Sequence, residues 1–209
     1  MNDRIITRDD HEWPRGLRDL RDPPAFLTVR GVLPAGGIAI VGARDAEEDA
    51  CAFARRLAAR LGRPVISGLA RGIDAAAHRG ALDAGLPTVA YVGTGLARTF
   101  PPEHAELAAT IVACGGALAS ERSNPNDDAT EWSLMRRDRL QAAHAEAVVL
   151  IVSDLAGGAM HTMRFARELG RARFVLDGGA SGNRAALADG ALLLPREADA
   201  AASRILAVS

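Results

Sequence analysis

Three groups of residues combine types and spacing that could do chemistry. The first is Ser67 to Leu82, SGLARGIDAAAHRGAL: a turn bracketed by Gly68 and Gly72, then an alanine-rich helix from about Ile73. It follows the short apolar run Pro64 to Ile66, and a strand, a glycine turn and a helix N-terminus together offer backbone N–H groups to an anion. Asp74 falls in the first helical turn, with His78 one turn later on the same face. Such a pair could serve acid–base catalysis. A carboxylate is the wrong charge to touch a phosphate, so the reading adopted is structural. Asp74 caps its helix or orients a neighbouring arginine such as Arg44, and His78 packs beneath it.

The second group is Gly42-Ala43-Arg44, after the apolar run Ile38 to Val41. Close backbone approach at Gly42 and the guanidinium of Arg44 suit a phosphate. This is not the dinucleotide fingerprint, because positions 44 and 47 are Arg44 and Glu47. Gly93-Thr94-Gly95 also lacks its third glycine, position 98 being Arg98. The third group is Arg136, Arg137 and Arg139, beside Trp132 and Arg122. A basic cluster with an aromatic neighbour can hold a nucleic-acid backbone and stack a base; a solvated helix face is the plainer alternative. Gly157-Gly158, ahead of Thr162, is a further glycine turn opening a helix, fit for an anion or for a tight connection.

Other chemistries lack their residues. All 25 basic residues are arginine, which excludes a lysine Schiff base and a Walker A loop and leaves planar forks suited to phosphate and to bases. There is no Gly-x-Ser-x-Gly elbow, and His78, His104, His144 and His161 form no metal-ligand pattern. Asp74 and Glu121 both follow strand ends and could pair as carboxylates, but spacing alone does not bring them together. No catalytic residue, metal or cofactor is assigned. Cys51 and Cys114 read as small core residues. No apolar run is long enough to span a membrane and MNDRIITRDD is no signal peptide, so a cytoplasmic protein is expected.

The elements that must position these groups follow from residue 38 onward. Strands read at Ile38–Val41, Pro64–Ile66, Thr88–Val92, Ala117–Ala119, Ala147–Val152, Arg173–Leu176 and Ala191–Leu194 alternate with helical segments. That alternation predicts an α/β fold with a doubly wound, mostly parallel sheet, whose ligands sit beyond the strand C-terminal ends. Ala147–Val152, the most continuous apolar run, is expected to be central. Residues 1–36 are rich in Pro, Asp and Arg and read as an N-terminal arm, pinned by Trp13 and Phe26, on a single domain spanning 37–209.

With these residues in view, the chain resembles the DNA-processing protein A (DprA/Smf) family. The resemblance runs through ITRDDHEWPRGLRDLRDPPAFLTVRG, IAIVGAR, SGLARGIDAAAHRGAL, VGTGLARTFPPEH, ASE, MRRDRL, GGAMHT and SGNRAALADGALLL. It implies an extended Rossmann-like fold, single-stranded DNA binding, homodimerisation, and loading of RecA, or work with another recombination protein, during uptake of transforming DNA; no enzymatic activity is established for the family as a whole. By position, Arg44, Arg137 and Arg139 look like DNA contacts, and Gly42, Ser67, Gly68, Gly72, Gly93 and Gly95 like the backbone of the same pocket. Ala43, Arg136, Gly157 and Gly158 complete the candidate phosphate-binding set, with Asp74, His78 and Glu121 in support.

The chain also departs from the family. A usual basic residue and asparagine are Pro102 and His104; the usual Arg-Asn-Arg is Arg137-Asp138-Arg139; Ser153-Asp154 and Gly157-Gly158-Ala159 replace Glu-Ala and Ser-Gly-Ser. With no room expected for an N-terminal helical domain or a C-terminal winged helix, it resembles a minimal, Rossmann-only member. The added Asp138, the lost basic residue and the net charge of −1 keep a second reading open: a nucleotide-binding sensor or nucleoside-monophosphate glycosidase on the same fold, with Glu121 or Asp74 as its carboxylate.

Overall fold

The computed structural model describes residues 3–208. The alternation of short apolar runs with helical segments folds as one nine-stranded sheet covered on both faces. Its strands are β1 (Arg4–Ile6), β2 (Leu27–Gly31), β3 (Ile38–Val41), β4 (Val65–Ser67), β5 (Thr88–Tyr91), β6 (Ala117–Ser120), β7 (Ala147–Leu150), β8 (Ala172–Leu176) and β9 (Leu192–Leu194). The helices are α1 (Glu48–Arg60), α2 (Ile73–Asp83), α3 (Ala105–Ala113), α4 (Glu131–His144), α5 (Ala159–Glu168), α6 (Ser181–Ala188) and α7 (Ala198–Leu206). The spatial order is β1-β2-β6-β5-β4-β3-β7-β8-β9. All pairings from β6 to β9 are parallel, as the doubly wound reading requires.

The alternation of side chains across a pleat divides the core in two. On β3, Ile38 and Ile40 face a layer with Phe53 and Leu57 of α1, Ile73 of α2 and Ile205 of α7. Ala39 and Val41 face the opposite layer, with Leu140 of α4 and Met163 of α5. Both faces being covered, β3 and β7 are buried along their whole length, which explains their uninterrupted apolar character. β7 lies inside the sheet, but β4 is its middle strand.

Residues 3–36 do more than lie on the domain. β2 pairs antiparallel with β6, and β1 antiparallel with β2, so the segment extends the sheet by two strands. Between them Arg15–Asp19 forms a short 3-10 helix. Trp13 is buried, whereas Phe26 is only partly so. Cys114, read as a core residue, is exposed at the end of α3, and Cys51 is half-buried.

Two local devices set up the site. α4 begins with a capping box in which the Thr130 hydroxyl accepts from the Ser133 amide at 3.1 Å and the Ser133 hydroxyl accepts from the Thr130 amide at 2.9 Å. α2 begins after Gly72, whose φ of 66° is left-handed; a side chain there would lie 2.4 Å from the Ala43 carbonyl. Glycine at 72 thus lets the β4–α2 turn close against the β3–α1 turn.

Candidate functional site

The chain runs from β3 outward through β4, β5 and β6, then returns to place β7 on the other side of β3. Loops leaving the C-terminal ends of β3 and β7 therefore diverge, and the crevice between them is where such sheets take ligands. A cleft of about 740 Å³ lies there, bounded by Gly42-Ala43-Arg44, by Asp74 at the start of α2, by one side of α4 and by Gly157-Gly158 at the start of α5.

Beside the cleft, the turn after β4 is held by its own backbone partners. Asp74 Oδ2 accepts from the amides of Gly68 and Ala70, both at 3.2 Å. Arg137 Nη1 donates to the Gly68 carbonyl and, at 2.7 Å, to the Tyr91 carbonyl. His104 Nδ1 donates to the Leu69 carbonyl at 2.8 Å. Leu69 itself has a φ of 63°, a left-handed conformation that a leucine seldom adopts, and these bonds flank it on both sides. Asp74 is thus a brace, but the guanidinium that bears on it is Arg137 and not Arg44. His78 makes no bond to Asp74. Its Nδ1 lies 2.7 Å from Thr88 Oγ1, whose own hydrogen goes to the Val65 carbonyl at 2.8 Å. The Thr88 oxygen is therefore the acceptor, and His78 is a neutral Nδ1–H tautomer held by burial at a pKa of about 3.

The same side of α4 brings a carboxylate into the cleft. Asp138 Oδ1 lies 3.1 Å from Arg137 Nε and accepts from Gln141 Nε2 at 3.3 Å, while Oδ2 is 3.9 Å from His161 Nδ1. Burial pushes its pKa up to about 7, against the pull of Arg137 and with the push of Asp74. Gln141 Oε1 is buried without a hydrogen-bond partner among the described residues. Gln141, His161, Met135 and Phe100 also line the cleft; none belonged to the sequence-derived set. Met135 and Gln141 share α4 with the arginine cluster, and no local pattern marked either.

The arginines divide sharply. Arg44 is exposed at the cleft, and among the described residues no side-chain hydrogen bond or ion pair holds it. Arg136 is half-buried, paired with Asp22 at 2.7 Å and 3.7 Å from Glu121. Arg137 and Arg139 are 6% and 5% exposed, which corrects the picture of two guanidinium groups presented outward. Arg137 is engaged by backbone carbonyls, and Arg139 Nη2 donates to Glu121. Glu121 therefore anchors two arginines and lines a depression beside Trp132, not the cleft that Asp74 borders.

The glycines divide as well. A Cβ at Gly42 would meet Ile73 at 2.5 Å, one at Gly68 would meet Arg137 at 1.8 Å, and one at Gly157 would meet Ser153 Oγ at 2.3 Å, whereas one at Gly158 would meet nothing within 4 Å. Only Gly158 of these faces open space. Ser67, Gly93 and Gly95 lie outside the cleft: the Ser67 hydroxyl donates to the Ile40 carbonyl at 2.7 Å, Gly93 borders a separate depression beside Trp132, and the Gly95 amide donates to Asp127 at 2.9 Å.

A doubly wound sheet with a cleft at its switch point, lacking the dinucleotide glycines, defines a Rossmann-like domain. The chain belongs to the DNA recombination-mediator protein A family, whose model matches residues 4–204. It is 36% identical over 185 residues to protein Smf of Escherichia coli, an alignment covering 85% of this chain and 49% of that one. It is also 36% identical over 188 residues to a putative DNA processing protein DprA of Mycobacterium tuberculosis, covering 80% and 48%. The chain thus spans about half the length of these curated relatives. Among solved structures, DNA processing protein A of Streptococcus pneumoniae superposes with a TM-score of 0.88 at 26% identity, over 98% of this chain and 73% of that one. Its Helicobacter pylori counterpart, described by its single-stranded DNA binding mode, superposes with a TM-score of 0.85 at 23% identity over 97% and 96%. Among the described residues no helix is long and apolar enough to cross a membrane.

Proposed function

We propose that this chain is a single-stranded DNA-binding module acting in DNA processing and recombination, and that the strand's phosphates are taken at the switch-point cleft. The observation that carries this reading is the pairing of an exposed Arg44, which makes no side-chain hydrogen bond or ion pair among the described residues, with the open Gly158 turn across one cleft, in a member of a recombination-mediator family. A guanidinium and backbone N–H groups converging from two strand ends suit a phosphodiester without reading its bases. Arg137, Arg139 and Glu121 act from behind as struts that hold α4 in place. The family does not favour the nucleotide-sensor or glycosidase alternative.

The finer parts of the reading are that the module works as a homodimer in the cytoplasm and hands its strand to RecA or another recombination protein. Fluorescence anisotropy with a labelled oligonucleotide tests the core of it. Binding is expected at low salt, weakening as salt rises in proportion to the phosphates neutralised. Absence of binding at protein concentrations of about 50 μM in low salt, where even non-specific association of about 10⁻⁴–10⁻⁶ M registers, would overturn it.

A further inference from the structure

Beside the cleft runs a second depression that the proposed function does not use. It encloses about 420 Å³ between α4, α5 and the segment around Leu20. Met135 and His161 line both spaces, so the furrow and the cleft adjoin. Trp132 walls the furrow and is 58% exposed. The guanidinium carbons of Arg136 and Arg122 stand 5.1 and 5.7 Å from its ring centre. Phe165 of α5 also lines the furrow, with Arg164 5.2 Å from its ring centre. Exposed Met135 and Phe100 carry the apolar strip onward into the cleft.

Arg139 lines the furrow but is buried, with its Nη2 given to Glu121. Arg21 is exposed in the same furrow and, among the described residues, makes no side-chain hydrogen bond or ion pair. An exposed indole in a furrow that also holds an unpaired guanidinium is the arrangement that stacks a base while holding its backbone.

We propose that the furrow is a second subsite for single-stranded nucleic acid. One base stacks on Trp132, an adjoining phosphate meets Arg21, and the strand continues over Met135 into the cleft. Every base has a π-face, so the subsite lengthens the footprint without adding sequence preference. The inference rests on reading the cleft as a single-strand site.

The test uses an oligothymidylate of about 12 nucleotides, within the range of known single-strand footprints. Trp13 is 4% exposed, so a change in intrinsic fluorescence on binding reports Trp132. Saturation is expected to quench that fluorescence, Trp132→Ala to weaken binding about tenfold or more, and Trp132→Phe to retain most of the affinity. Because the indole is largely exposed, unchanged thermal melting of both variants shows that the fold is intact. If Trp132→Ala binds as tightly as the parent and no quenching occurs, while Arg44→Ala still weakens binding, the furrow proposal falls and the cleft reading stands. If the parent binds no oligonucleotide, both fall.

Discussion

Asp74 and Arg137 grip the two backbone polar groups of a single residue: Gly68 gives its N–H to the Asp74 carboxylate and its carbonyl to the Arg137 guanidinium. Burial raises the pKa of Asp74, and Arg137 pulls it back down. The pair thus holds the β4–α2 turn, including its left-handed Leu69, as one unit next to the cleft. Acid–base chemistry at Asp74 and His78 is not what the geometry supports, since His78 turns to Thr88.

Arg137→Ala removes one member of this clamp and leaves buried carbonyls and two buried carboxylates without their counter-charge. Breaking a buried ionic network from one side costs about 3–5 kcal/mol, and the loss is expected as a lower urea midpoint. Gly68→Ala should reproduce much of it, because its Cβ would fall 1.8 Å from Arg137 Nη1.

Leu69→Gly separates strain from burial. Relief of the left-handed conformation returns about 1–2 kcal/mol, while loss of a buried leucine side chain costs about 3–5 kcal/mol. Leu69 is in the core packed with Leu107 and Ile111. Burial should win, and the variant should unfold at lower denaturant.

Asp138 makes stability depend on pH near neutrality. Its folded pKa of about 7 stands above the ordinary 3.8, so its contribution is full below that ordinary value and is lost as pH rises through 7. Asp138→Asn has no such loss. Compared at about pH 6 and about pH 8.5 by urea unfolding, the variant is expected to gain on the parent at the higher pH.

His78 and His144 act in the opposite direction. They are held neutral at about 3 and about 4 by burial, below the ordinary 6.5. Their contribution is present above the ordinary value and is lost as pH falls through the folded values. Asp138 partly offsets this in the parent, so Asp138→Asn should show a steeper loss of stability on the acid side. A slope equal to the parent's would contradict the assignment.

The two glycines of the β7–α5 turn should behave differently. Gly157→Ala is expected to lower the melting temperature, since its Cβ would meet Ser153 Oγ at 2.3 Å; Gly158→Ala, with nothing within 4 Å, should not. If a phosphate approaches there, Gly158→Ala weakens oligonucleotide binding all the same. Arg44→Ala should weaken it across all sequences and lower the salt slope by about one.

Much of this was legible from residue order alone. Apolar runs bounded by glycine, proline or polar residues marked β3, β4, β5, β7 and β8 within a residue or two, because strand and helix periodicity is a local property. The switch-point edge followed from the same alternation, and Arg44 needed only its place after β3. What tertiary structure decided was partnership. Arg137 meets Gly68 from 69 positions away and Tyr91 from 46, and β2 joins β6 across the chain; neither choice leaves a periodic trace. Three arginines within four positions looked alike on a line. The helix turned two of them into the protein and left Trp132 outside, because side chains on one helix fan out around its axis and only the surrounding elements decide which of them meets water.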